Sequence, residues 1–277
     1  MITYSKIGLF GRLGNQMFQF AGTYGIARKL NYDVAFPMEN MINGQYEEFK
    51  DGVTRYCTFD LPKVFTLKKD ILRPKENIFP NLEYEVQEPH FHFNEQFFSI
   101  PDNADLKGYY QTEKYFEHVK EEILELFTFK PDIQSEANKL FPKLTTETVS
   151  IHLRVGDYKG LENFHPICSP EYYSNAIKLF SDKEYHFIIF SDDVNYCKEL
   201  FGEQENIHYI SNIDPYIDMC LMSMCNHNII ANSSFSWWAA YLNKNKNKLV
   251  VAPKQWFGPA YYFHDTNDLY CKEWIVI

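Results

Sequence analysis

None of the six cysteines (Cys57, Cys168, Cys197, Cys220, Cys225 and Cys271) stands in a CxxC pair. The first sixteen residues, MITYSKIGLFGRLGNQ, lack a basic segment followed by an apolar run, so they do not read as a secretory leader. Apolar runs such as Phe187–Phe190 fall far short of the ~20 residues that span a bilayer. Together these absences predict reduced thiols in a cytoplasmic protein with no integral membrane segment, while peripheral association with a membrane stays open. Basic residues are in deficit: 27 Lys+Arg stand against 37 Asp+Glu, a formal charge of −10. That balance argues against nucleic acid as a partner, although not against a small local anion site. No repeat and no low-complexity tract is present. Disorder as the main state is excluded by 45% hydrophobic and 17% aromatic residues. Across 277 residues, that composition supports about two domains with full cores.

The first half is irregular. A strand is expected at Lys6–Phe10, then a loop Gly11–Gln16, a helix from Met17 to Leu30 and an extended piece at Asp33–Phe36. Ala21, Gly22, Gly25 and Ala27 predict close approach of that helix to a sheet. Residues 38–105, rich in Pro, Asn and aromatics, read as loops and short strands. Glu113–Phe127 reads as an amphipathic helix with Phe116, Val119, Ile123 and Phe127 along one stripe, and Lys130–Thr148 as a linker. The second half alternates strand and helix. Strands are expected at Val149–Val155, His186–Phe190, His208–Ser211, Asn228–Ala231 and Leu249–Ala252. Helices start at Ser169-Pro170-Glu171, after Ser191-Asp192-Asp193, at Pro215 and at Ser236. Such alternation predicts a parallel, Rossmann-like sheet with ligands beyond its carboxyl ends.

Three motifs fall at those ends. Arg154, in His152-Leu153-Arg154-Val155-Gly156-Asp157-Tyr158, closes a buried strand, and its planar fork suits phosphate. The alternative is a structural pair with Asp157. Asn232-Ser233-Ser234-Phe235-Ser236 follows a strand directly, where backbone N–H groups and a helix dipole make a ready anion site; ordinary capping is the alternative. Asp192-Asp193 can hold a metal, accept from a ribose or base edge, or merely start a helix. The Gly11–Gln16 loop lacks both the GxGxxG spacing and the GK[ST] ending, yet it can present Arg12, Asn15 and Gln16 to a cleft. A zinc site from Cys220, Cys225 and His227 has loose spacing, and buried structural thiols are the alternative.

Taken jointly, these blocks resemble family 11 glycosyltransferases, the α-1,2-fucosyltransferases. The resemblance rests on Gly11–Gln19, on Lys107–Phe116 (KGYYQTEKYF), on His152–Tyr158 as a form of the HxRRGDY signature, and on Phe190–Asp193 and His227–Tyr241. It covers nearly the whole chain. The second Arg of HxRRGDY is Val155 here, so one basic contact is lost. The resemblance implies an α/β, GT-B-like architecture of two Rossmann-like domains facing across a cleft. Residues 1–143 would form the acceptor-side domain and 144–277 the donor-binding domain, with a last helix packing back on the first.

The resemblance also implies transfer of L-fucose from GDP-β-L-fucose to the 2-hydroxyl of a terminal β-galactoside, with inversion, no cofactor and no required metal. The partners are then GDP-fucose and a β-galactoside oligosaccharide or glycan. Arg154 would meet the pyrophosphate, with Ser233, Ser234 and Phe235 at the phosphates. His152 and Asp192 or Asp193 would lie near the guanosine, and Asn15 and Gln16, with Arg12 beside them, near the reacting centre. Asp157 and Glu162 are the candidate bases. Glu162 follows His152 by ten residues and precedes Phe164-His165-Pro166-Ile167, as in the α-1,6 branch. Two alternatives remain: a metal-dependent transferase of another sugar using Asp192 and Asp193, and a non-catalytic nucleotide-sugar-binding protein. The aromatic stretch Tyr84–Phe98 suits sugar stacking, with core packing as the commoner use of such rings.

Overall fold

In a computed structural model, the described residues are 1–38, 45–48, 54–68, 70–210 and 214–277, with the side chains of 45–48 and 54–57 outside the description. The chain divides into two units, Met1–Lys130 with His264–Cys271, and Pro131–Phe263 with Lys272–Ile277. The returning segment 264–271 consists of turns rather than a helix.

The first unit begins with β1 (Ile2–Thr3) and α1 (Leu13–Leu30). It continues through β2 (Phe36–Pro37), β3 (Gln45–Glu48), β4 (Thr54–Cys57), α2 (Leu61–Val64) and β5 (Leu72–Arg73) to β6 (Tyr84–Gln87), β7 (Ala104–Lys107) and α3 (Lys120–Leu126). Its main sheet is parallel with order β1-β7-β6. The strand expected at Lys6–Phe10 is instead a run of turns, because Gly8 and Gly11 take φ of 87° and 82° and interrupt extended backbone.

Fourteen of the eighteen residues of α1 are buried, so it lacks a solvent face. The helix ends at Asn31, whose left-handed backbone (φ 56°) turns its N–H back to Ala27 and Arg28. Its glycines do allow close approach, but to the segment 110–116 rather than to a sheet. A Cβ on Gly25 would fall 2.2 Å from the Tyr115 carbonyl oxygen, and one on Gly22 would fall 2.6 Å from Tyr110 Cβ. That contact also explains why Glu113–Phe127 is not one helix. It opens as 3₁₀ turns at Glu113–Tyr115 and Glu117–Val119, which carry Tyr115 and Phe116 inward, and only Lys120–Leu126 is α-helical.

The second unit runs α4 (Pro131–Leu140), β8 (Glu147–Leu153), α5 (Pro170–Lys178), β9 (Tyr185–Ser191), α6 (Val194–Phe201), β10 (Ile207–Ile210), α7 (Pro215–Met224), β11 (His227–Ile229), α8 (Ser234–Leu242), β12 (Val250–Ala252) and β13 (Ile275–Val276). Ser211, expected to end a strand, lies outside the described residues. The stretch read as a linker contains α4, which buries Ile133 and Ala137 and packs on α7. As expected, Ser169 caps α5, accepting from the Tyr172 N–H.

All six strands are parallel, in the order β10-β9-β8-β11-β12-β13. Numbered within the unit, that order is 3-2-1-4-5-6, the doubly wound arrangement whose strand order reverses between β8 and β11. Val149, Ile151, Leu153, Phe187 and Ile189 bury one face against α5 and α6. Residues that alternate with them, Ser150 and His152, point to the opposite face. There Asn228 joins Ser150 Oγ (2.7 Å) and the Met222 carbonyl (2.9 Å), tying α7 to that face.

Candidate functional site

Reversal of strand order leaves a crevice at the carboxyl ends of β8 and β11, and the two strongest motifs open there. Arg154 follows β8 directly. Its Nη2 donates to Asp157 Oδ2 at 2.6 Å, and its Nη1 lies 3.0 Å from Asp192 Oδ2. The structural pair with Asp157 is therefore formed, and a second carboxylate joins it. Asp192, at the end of β9, also accepts from the N–H groups of Val155 (2.9 Å) and Gly156 (3.0 Å). Burial pushes its carboxyl up, but Arg154 and the two amides outweigh that and hold it below its ordinary range. A Cβ on Gly156 would lie 3.1 Å from Asp192 Oδ2, so a larger residue there would press on the carboxylate. Val155 is fully buried in the core beneath the sheet. Its backbone faces Asp192 while its side chain points inward, which suits valine and not arginine.

The neighbouring Asp193 does something else. Its Oδ1 caps α6 through the Tyr196 N–H (3.0 Å), and its Oδ2 accepts from Lys159 Nζ (2.7 Å). The two aspartates thus have separate protein partners. Among the described residues, no group of three His, Cys, Asp or Glu is arranged to hold a metal. His227 spends both ring nitrogens within the protein, on Glu147 Oε2 (2.8 Å) and the Leu249 N–H (2.9 Å). Burial pushes the Cys220 and Cys225 thiols up to about 11 and about 12, so that trio reads as buried structural residues.

Helix α8 starts at the end of β11. Its N-cap, Ser233, makes no side-chain cap bond, so the first-turn amides are not closed by that hydroxyl. The Phe235 ring lies 5.7 Å from the His152 ring, and Tyr158 donates to the Asn232 carbonyl at 3.0 Å, joining the β8 and β11 loops. His152 is fully buried with Nδ1 unpartnered. Burial, reinforced by Arg154, lowers its pKa to about 3, so the imidazole is neutral at physiological pH.

One residue of this face was not singled out from sequence. Asp218 lies in the first turn of α7, its Oδ1 buried and without a hydrogen-bond partner. Burial, with Asp214 adding like charge, pushes it up to about 7. A lone carboxylate inside Tyr216-Ile217-Asp218-Met219-Cys220-Leu221 was the available signal. Glu162 sits on an exposed loop, where the Gly160 N–H donates to it at 2.9 Å and holds its carboxyl below the ordinary range.

The remaining candidates belong to the first unit. Arg12 is exposed before α1, while Asn15 and Gln16 lie in the first helical turn instead of a loop. Gln16 is buried and engaged at both ends: Nε2 donates to the Thr58 carbonyl (2.8 Å) and Oε1 accepts from the Asp60 N–H (2.8 Å). It pins segment 58–60 to α1. Asn15 Oδ1 accepts from Gln111 Nε2 at 2.8 Å, joining the first and middle motifs.

Known proteins align along nearly the whole chain. Two Escherichia coli relatives are each 32% identical: the O-antigen biosynthesis glycosyltransferase WbnK, over 90% of this chain and 94% of its own, and an α-1,2-colitosyltransferase, over 90% and 91%. Galactoside α-(1,2)-fucosyltransferase 2 of Hylobates lar is 26% identical over 85% of this chain and 68% of its own. In fold, the chain is similar to POFUT1 in complex with GDP, with a TM-score of 0.55 at 15% identity, covering 89% of this chain and 95% of that one. The fold is α/β with parallel sheets and GT-B-like. The family model for glycosyl transferase family 11 matches residues 2–277, and the chain belongs to that family.

Proposed function

We propose that this glycosyltransferase moves L-fucose from GDP-β-L-fucose to the 2-hydroxyl of a terminal β-galactoside, giving an α-1,2 linkage. The observation that carries the reading is Arg154, fixed by two carboxylates at the carboxyl end of β8, beside an α8 N-terminus that Ser233 leaves uncapped. In a single displacement, the acceptor oxygen bonds to the anomeric carbon as the bond to the β-phosphate breaks. GDP leaves with the bonding pair, and the hydroxyl proton passes to a base. Negative charge grows on the β-phosphate, where Arg154 and the first-turn amides of Ser234 and Phe235 are placed to receive it. Because both oxygens of Asp192 are committed to Arg154 and backbone, the guanine N–H groups are assigned to Asp218, with neutral His152 beside the nucleoside. Asp157 orients Arg154, and Asp157 and Glu162 are the two candidate carboxylates for the proton. No metal enters this reading. Buried cysteines outside any disulfide, at Cys168, Cys197, Cys220 and Cys225, fit a cytoplasmic setting. No described helix is long and apolar enough to cross a membrane.

The colitosyltransferase relative favours a second reading, in which the donor sugar lacks the 3-hydroxyl of fucose. Both are tested by one experiment. GDP-fucose and GDP-colitose are offered with lactose, N-acetyllactosamine and lacto-N-biose in excess EDTA, and the product linkage is read by NMR. Fucosylation at O2 that persists in EDTA is expected. Transfer from GDP-colitose alone selects the second reading. Activity lost in EDTA and restored by Mg²⁺ or Mn²⁺ returns Asp192 and Asp193 to a metal site.

A further inference from the structure

In the first unit, the carboxyl ends of β6 and β7 meet at one carboxylate. Glu88 stands one residue past β6, and its oxygens accept from the Tyr109 N–H at 2.7 Å and the Tyr110 N–H at 3.2 Å. Those amides open the turn that follows β7. Gly108 makes the wrap sterically feasible, since a Cβ there would fall 2.4 Å from Glu88 Cβ. Tyr110 has φ of 52°, a left-handed backbone that a bulky residue rarely adopts. Its ring is buried edge-on against Tyr4, Phe97 and Tyr115, so packing and the Glu88 bonds together hold the turn. The next side chain, Gln111, reaches Asn15. Asn15 in turn lies against Gly11, where a Cβ would come within 2.3 Å of it.

We infer that Glu88 is a positioning residue for transfer: its carboxylate holds the Tyr109–Tyr110 turn, and through that turn it sets the Gln111–Asn15 pair at the carboxyl edge of the β1-β7-β6 sheet. This rests on the function proposed above, together with the acceptor-side role that the family resemblance implies for the first unit. An ionised carboxylate accepts both N–H groups; protonation makes it a weaker acceptor and one oxygen a donor. Burial pushes Glu88 up to about 7, with Asp268 adding like charge. Asp268 is itself 3.6 Å from Lys114 Nζ. Other titratable groups facing this corner are Tyr109 on the turn itself, Tyr4, Tyr110 and Tyr115, the last three raised by burial and so neutral, and Asp105, which accepts from Ser5. The turn is therefore set above neutral pH and loosened below it.

Fucosyl transfer to lactose is measured at saturating GDP-fucose, where donor affinity no longer contributes, between about pH 6 and about pH 8. For the parent, kcat/KM for lactose should fall roughly tenfold as the pH is lowered from about 8 to about 6. Glu88→Gln should be slower at the upper end and flat with pH, with GDP affinity by calorimetry unchanged. Glu88→Asp keeps a titrating group but is one methylene too short to bracket both amides, so it should keep the acid limb on a lower plateau. In Glu88→Gln, a merely structural role would lower every point alike and leave the limb in place. A limb that survives unchanged in Glu88→Gln, or parent-level transfer by that variant, overturns the inference. If Glu88→Gln does not fold, loss of the limb in Glu88→Asp overturns it. A parent that transfers no fucose overturns the function reading and this inference with it; an active parent with an unaltered variant overturns this one alone.

Discussion

Replacing Arg154 by alanine removes a side chain that joins Asp157 and Asp192 at the end of β8. Two effects must be separated. In the transition state, a preorganised donor facing developing phosphate charge contributes about 2.7–4 kcal/mol, so kcat/KM should drop roughly 10²–10³-fold. In the resting fold, two carboxylates lose a partner. Asp192 keeps its two backbone donors at 2.9 and 3.0 Å, and the Asp157 side chain is 41% exposed and can hydrate. The loss of stability should therefore stay near 1–3 kcal/mol, short of the penalty for stranding a fully buried charge. The folded variant can be assayed. Arg154→Lys should recover little, because one ammonium cannot span two carboxylates and also meet a phosphate. The assay is initial rate against GDP-fucose concentration, with circular dichroism and thermal unfolding as controls. A folded Arg154→Ala protein with near-parent kcat/KM would refute the assignment of Arg154 to the leaving group.

Asp218→Asn should weaken GDP binding by about 10–100-fold at pH 8, the worth of a charged hydrogen bond, as read by calorimetry. Parent affinity should fall below about pH 7, where Asp218 takes a proton. The stability sign runs the other way. A raised carboxyl makes the apo fold bind more protons than the unfolded chain, so its stabilisation is lost as pH rises through about 7, and Asp218→Asn should flatten that slope. Asp157→Asn should lower both transfer and GDP affinity because it releases Arg154, whereas Glu162→Gln should lower transfer alone if Glu162 is the base. Parent-rate transfer with an unchanged pH profile in Glu162→Gln removes it from the mechanism. Val155→Arg, which restores the family's second motif Arg, should destabilise by roughly 3 kcal/mol or more in urea unfolding, because the site is a core position. A stable, faster enzyme would show that the backbone turns to present that arginine.

The alternating pattern of the second half made five of its six strands legible within a residue or two; β13, two exposed residues after a run of turns, was not read. Runs such as Phe187–Phe190 are apolar on both faces, as a parallel sheet covered on both sides requires. The ends of β8 and β11 stood out as candidate sites for the same reason: polar residues sit where buried runs stop. The first half was less legible because its elements are short and shaped by contact. Glu113–Phe127 has a helical stripe, yet Gly25 of α1 draws Tyr115 and Phe116 in and breaks its first turns. The linker reading of 130–148 missed α4, whose apolar side is only Ile133 and Ala137 and has meaning only against α7.

Sequence alone determined the family and picked out the candidate motifs and the candidate phosphate-binding arginine, because those are properties of residue type and spacing. Tertiary structure decided how the carboxylates divide their work. Asp192 and Asp193 are adjacent in sequence but face Arg154 and Lys159 respectively, since successive side chains leave a strand end in different directions. Asp218 and Glu88 are ordinary acids in sequence. Only burial, which removes water from the charged form, turns one into an orphaned acceptor and the other into a clamp on a turn.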